Sequence, residues 1–185
     1  MGVYFKAVFL QNDGTTPADW MDAHEYDLGA KLTEHCSMRS PLMKAFSTLL
    51  IPGAKYYRQP VVWAGDNALK GEYIETDEFC NWETSTVYRR ANKKALYVNT
   101  DVDMDPDFKY LVNYTKKQYI DLSTCEQYHP LALMTMEGDC ELRKEKCDGD
   151  FRLVGSWARD YIGIEKKPLS VDFKKINFNI IERLM

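Results

Sequence analysis

Two stretches of this chain end alike. Val61-Val62-Trp63-Ala64-Gly65-Asp66 and Val154-Gly155-Ser156-Trp157-Ala158-Arg159-Asp160 each read as an extended run into Trp-Ala-x-Asp, with the tryptophans 94 positions apart. The same offset joins His35 to His129, Asp27-Leu28 to Asp121-Leu122, and Arg58 to Arg152. A chain with only four Trp and three His seldom aligns its rare residues this way by accident. The echo predicts an internal duplication: a first half over 1–100, an acidic connector over 101–108 and a second half over 109–185. The expected fold is α+β, a mixed or antiparallel sheet with a few helices, its two pseudo-repeated halves packed as one compact unit.

Local patterning supplies the elements. Val3 to Leu10 is β-branched and aromatic on both faces, as in a strand covered on each side. Pro41 to Ile51 is the clearest helix. Ser40 suits the N-cap and Pro41 the first turn, and Leu42, Ala45, Phe46, Leu49 and Leu50 repeat with helical spacing before Pro52-Gly53. A shorter helix is expected over Gly29–His35. Strands are expected over Pro60–Ala64, Lys94–Asn99, Phe151–Trp157, Tyr161–Glu165 and 176–181, and a hairpin over Lys109–Leu122 around Thr115-Lys116-Lys117. Gly71–Arg90 fits a short helix or an irregular loop, and Pro130–Met136 a buried strand or a helical turn.

The composition narrows the partners. A net charge of −4 is the wrong balance for a nucleic-acid polymer binder, which draws affinity from clustered Lys and Arg. No run reaches the roughly 18 apolar residues of a membrane span. Met1–Lys6 lacks the basic and apolar regions of a secretion signal, and Lys6 stands where a myristoylation site needs Ser or Thr. Five cysteines with no secretion signal fit reduced thiols, so the expected location is cytoplasmic.

Two metal readings fail on spacing. Asp101–Asp107 opens like an EF-hand loop but has Pro106 at the sixth position and Val112 at the twelfth. Cys140 and Cys147 lack the short spacing of common zinc sites. The expectation is therefore no metal and no cofactor. Cys125 and His129, four apart, invite a nucleophile–base pair, but no orienting third group or oxyanion site is visible. There is no phosphate-binding glycine loop and no nucleophile elbow.

In the second half, Asn113-Tyr114-Thr115-Lys116-Lys117-Gln118-Tyr119-Ile120-Asp121, then His129-Pro130-Leu131, then Gly155-Ser156-Trp157-Ala158-Arg159-Asp160 carry a resemblance. They resemble a group of small uncharacterised proteins sharing N-x-T-K-K-x-Y-I/V-D, a following H-P-L, and W-A/G-x-D near the end. The first half looks like a divergent copy that keeps His35 and the Trp63 motif without the Thr-Lys-Lys turn. The resemblance implies an architecture and no activity.

His129 is a candidate general base or ligand-binding imidazole, because its ordinary pKa lies near working pH. The competing role is a histidine bonded to backbone. Asp66 and Asp160 are candidate carboxylates or turn formers that accept backbone N–H groups. Lys116 and Lys117 read as a hydrated turn more than a phosphate contact. Trp157, Arg152 and Arg159 are candidate ligand contacts, the arginines because a guanidinium grips phosphate or carboxylate in two places. Two functional classes follow. One is a non-enzymatic binding or regulatory protein that engages a small anionic ligand or a protein partner through its second half. The other is a hydrolase-like enzyme acting on an anionic or nucleotide substrate with His129 and Asp160. The absence of a catalytic motif favours the first.

Overall fold

The computed structural model describes residues 3–68, 86–100, 104–138, 147–167 and 170–182. Most of the Gly71–Arg90 stretch, the first three residues of the Asp101–Asp107 run, and Cys140 lie outside them. The fold is α+β. Strands β1 (Phe5–Leu10), β2 (Pro17–Met21), β3 (Gln59–Gly65), β4 (Tyr110–Asn113), β5 (Gln118–Asp121), β6 (Met136–Glu137), β8 (Tyr161–Glu165) and β9 (Lys174–Lys175) form one mixed sheet. Short β7 (Cys147–Asp148) and β10 (Ile181–Glu182) pair separately. Helices α1 (Leu32–His35), α2 (Pro41–Thr48), α3 (Val87–Arg90) and α4 (Pro130–Met134) are short.

Strand order is β2-β1-β3-β8-β4-β5-β9, antiparallel throughout except that β9 runs parallel to β5, while β6 adds parallel to β3. From β2 to β5 this order reads alike from either end. Each flank is a hairpin with a later strand beside the hairpin's first strand, and the two later strands, β3 and β8, meet through Gln59↔Ile162 and Pro60↔Tyr161.

Both faces of β1 are covered, which explains its unbroken apolar sequence. Phe5, Ala7 and Phe9 enter the main core, where Phe9 lies between Phe46 and Tyr56 with ring centroids 4.0 and 3.9 Å away. Val8 and Leu10 point the other way, onto Val62, Ala64, Val87 and Ala91. Lys6 shares this second face. Its ammonium sits over the Trp20 and Tyr88 rings and donates to the carbonyls of Tyr88 (3.0 Å) and Ala91 (2.9 Å), fastening α3 to the sheet. Burial lowers its pKa.

α2 begins as expected. Ser40 Oγ accepts from Met43 N, and Leu42, Ala45 and Phe46 are buried. It stops at Thr48 rather than Ile51, because Leu49 and Leu50 bond back to Phe46 and Ser47 and tighten the last turn before Pro52 and Gly53. Pro130–Met134 resolves as helix, starting on a proline just as α2 does. Residues 94–99 form no strand. They run along β2 through Leu96 N to the Trp20 carbonyl (2.8 Å) and Trp20 Nε1 to the Lys93 carbonyl (2.7 Å). Residues 151–160 are a 3-10 turn followed by further turns, so the second Trp-Ala-x-Asp is not extended. Of 176–181, only the last residue joins a strand.

The residue pairs of the 94-position echo do not occupy matching places. Trp63 lies inside β3, and Trp157 lies in the turns before β8. His35 closes α1, and His129 caps the start of α4. The mirrored order of β2-β1-β3 and β8-β4-β5 is a property of the topology and has no counterpart in these residue pairs.

Trp63 is fully buried, and its Nε1 donates to His35 Nε2 at 2.9 Å. Trp63→Ala is expected to lower unfolding free energy by about 3–5 kcal/mol. Trp63→Phe is expected to cost less but to leave His35 Nε2 without its donor. Urea denaturation of both variants checks the order, and a loss below about 1 kcal/mol for Trp63→Ala would contradict a core role.

Candidate functional site

Three of the candidates in the second half, Lys116, Trp157 and Asp160, lock onto neighbouring motif residues. The β4–β5 turn and the Gly155–Asp160 turns form one polar clasp. Asn113 Nδ2 donates to Asp160 Oδ2 (2.7 Å), and Asn113 Oδ1 accepts from Lys116 N (2.8 Å). The Lys116 ammonium bonds the Ser156 carbonyl and pairs with Asp160 at 3.2 Å. Thr115 Oγ1 accepts from Tyr161 N (3.0 Å), and fully buried Trp157 donates from Nε1 to Gln118 Oε1 (2.9 Å). Gly155 holds φ 71°, and a side chain there would meet the Met136 carbonyl, so the turn requires glycine.

Arg159 also takes a left-handed backbone, φ 65°. This aims its guanidinium at Glu137 in a two-pronged pair of 2.5 and 2.8 Å, with the Gly14 carbonyl 3.4 Å away. Arg152 pairs with Asp150 two residues earlier, out in solvent. Asp66 ties the end of β3 to the chain entering β1: its Oδ1 accepts from Tyr4 N at 3.2 Å and its own N–H donates to the Tyr4 carbonyl at 2.9 Å. Buried Glu165 is likewise satisfied, accepting from the hydroxyls of Tyr57 (2.5 Å) and Tyr114 beneath the Arg58 guanidinium. Arg159→Ala is therefore expected to cost roughly 1–3 kcal/mol of stability, since it strands a half-buried Glu137. Arg152→Ala should change little, as exposed ion pairs do. Thermal unfolding of the two variants separates them.

His129 stands apart from this clasp. It lines a cleft of about 360 Å³ between α2, residues 104–109 and the end of β5. Met43, Ser47, Leu122 and His129 are its buried residues, and Met38, Met104 and Phe108 are half-buried. Arg39 and Lys109 are exposed at its edge, and Lys44 is half-buried with Nζ on the Thr100 carbonyl (2.7 Å). The described lining thus carries three cations and no carboxylate. Ser47 Oγ is buried and has no hydrogen-bond partner. Arg39 makes no hydrogen bond or ion pair among the described residues.

No family model, curated protein or solved structure matches this chain. The site must be read from its own geometry. Arg39, Lys44, Ser47 and Lys109 escaped sequence reasoning because they match no motif and Lys109 lies 62 or more positions from the other three. Met38 N bonds the Gln127 carbonyl (2.9 Å) and His129 N bonds the Cys36 carbonyl (2.7 Å), and this pairing brings the segments together.

The chemistry of His129 follows from its bonds. Nδ1 accepts from Leu131 N at 3.2 Å, capping α4, so the neutral ring carries its proton on Nε2. Burial pushes its pKa down to about 4. Nor does Cys125 pair with it as a nucleophile. The thiol contacts the Asp121 carbonyl at 3.7 Å, and burial pushes its pKa up to about 11. No group of three or more His, Cys, Asp or Glu among the described residues could hold a metal ion.

The depressed His129 pKa has a signed consequence. Below pH 6.5 the unfolded chain takes up a proton that the folded ring refuses until about pH 4, so stability falls as pH drops through that window. His35 contributes in the same sense, since burial lowers its pKa too. His129→Asn keeps a capping side chain and removes the titration. The wild type is expected to lose roughly 2 kcal/mol more than His129→Asn between pH 7 and 5, read from urea denaturation at each pH. Parallel losses would show the imidazole to be solvated.

Proposed function

We propose that the protein binds a small anionic molecule in the cleft between α2, residues 104–109 and the end of β5, without transforming it. The observation that carries this reading is the described lining: Arg39, Lys44 and Lys109 with no carboxylate, around a buried Ser47 hydroxyl that lacks a partner. Charge of one sign on a concave, partly apolar surface concentrates ligands of the opposite sign. A hydrolytic reading with His129 and Asp160 has less support. The free lone pair of His129 is taken by the Leu131 amide, and Asp160 is held by Asn113 and Lys116. A general base needs an available lone pair within reach of the proton it removes.

Among the candidate ligand residues, His129 remains in this site as a neutral donor. Arg152, Trp157 and Arg159 have intramolecular partners elsewhere. The shared motifs of the second half map onto the clasp and the α4 cap, so any kinship with the group they resemble concerns architecture.

A binder of this kind gains stability from its ligand. Acetate, inorganic phosphate and longer carboxylates should raise the unfolding temperature of the wild type and of Arg152→Ala alike, and Arg39→Gln should lose most of that shift. Equal shifts in Arg39→Gln and wild type would mean that the anions act elsewhere.

A further inference from the structure

The cleft is polarised from mouth to floor, and this deepens the anion-binding reading on which it rests. Arg39 and Lys109 are exposed at the mouth, whereas Met43, Leu122, Ser47 and His129 are buried below. His129 adds no positive charge to that floor, because its ring is buried and Nδ1 is committed to the Leu131 amide. A charged head therefore finds its partners at the mouth, and only apolar or weakly polar matter is welcome further in. The walls favour one shape of tail. Met38, Met43 and Met104 contribute unbranched, polarizable thioethers, which re-pack around a flexible chain. Among the described lining residues Phe108 is the only phenyl ring and His129 the only imidazole, so they include no pair of large aromatic rings to sandwich a planar base. Below the mouth, Ser47 and His129 are the only buried polar side chains of the described lining, too few to read the edge of a nucleobase.

We infer that the ligand is a linear amphipathic anion of the fatty-acid type, its carboxylate at Arg39 and Lys109 and its alkyl chain running inward along the methionines toward Ser47. A surface helix that merely lacked a neighbour would not combine cations at the mouth with a neutral, buried floor.

The test is calorimetric titration of the full chain with butanoate, hexanoate, octanoate and decanoate, with acetate, inorganic phosphate, decanol, decylammonium and naphthoate as comparisons. Each methylene buried should tighten binding about fourfold until the chain fills the cleft. Arg39→Gln, an exposed change, should weaken every acid by about the same factor, on the order of tenfold, and leave the dependence on length intact. Ser47→Leu should weaken decanoate far more than butanoate, because it fills the floor. If acetate or phosphate binds as tightly as decanoate, the anion site stands and the chain inference falls. If naphthoate surpasses decanoate, the tail is a ring and the inference likewise falls. Decanol or decylammonium binding as well as decanoate would overturn both readings, as would no binding by any probe. An Arg39→Gln effect that grows with chain length would reverse the orientation.

Discussion

Everything else in this fold hangs on β3. One of its edges is filled by β1, from Phe5↔Gly65 to Phe9↔Val61. The other edge is divided among three pieces from the far end of the chain. β8 pairs at Gln59 and Pro60, the Arg159–Asp160 turn bonds both sides of Val61, and the end of α4 with β6 takes Trp63 and Ala64. A strand with six of its seven residues buried cannot leave backbone groups unpaired without a cost of order 1–3 kcal/mol each. The later residues must therefore assemble on β3 together, and their turns must be rigid enough to present donors and acceptors in the right order.

This demand explains why the second half is rich in motif-like residues. Asn113, Thr115, Lys116, Gln118, Ser156, Trp157 and Asp160 look functional in sequence because they are polar, closely spaced and of specific types. Their specificity is mutual: each satisfies another member of the clasp between the β4–β5 turn and the segment that feeds β8. Geometry as exacting as that of a binding site is spent on joining two turns. Arg159 makes the point most sharply, since its left-handed backbone resembles the strain of a catalytic loop but aims the guanidinium at Glu137.

Legibility in the sequence followed the range of the interactions. The α2 cap and its apolar spacing, the two-sided apolar run of β1 and the β4–β5 hairpin depend on near neighbours, and they can be read directly. Residues 94–99 and 154–157 have strand-forming composition, but neither forms a ladder with the sheet. One becomes a strap along β2 and the other a set of turns. The 94-position echo drew attention to Trp63 and Trp157, both core residues, yet the histidines it paired have different roles. The cleft was legible only through His129. Its cations are separated by as many as 70 positions, and nothing in their local sequence says that they converge.

The two buried histidines show how much a role depends on a single bond. His35 accepts at Nε2 from the Trp63 indole, so its proton sits on Nδ1, facing the Gly29 carbonyl. His129 accepts at Nδ1 from the Leu131 amide, so its proton sits on Nε2. Both rings are neutral by burial, and each is fixed in the opposite tautomer to the other. In His35 both nitrogens are consumed and the residue is structural. In His129 one nitrogen holds a helix in place, and the residue lines a cleft. A residue type that sequence reasoning treats as one candidate thus divides into a core fastener and a hydrogen-bond donor. The division is set by whether a backbone amide or an indole reached the ring first.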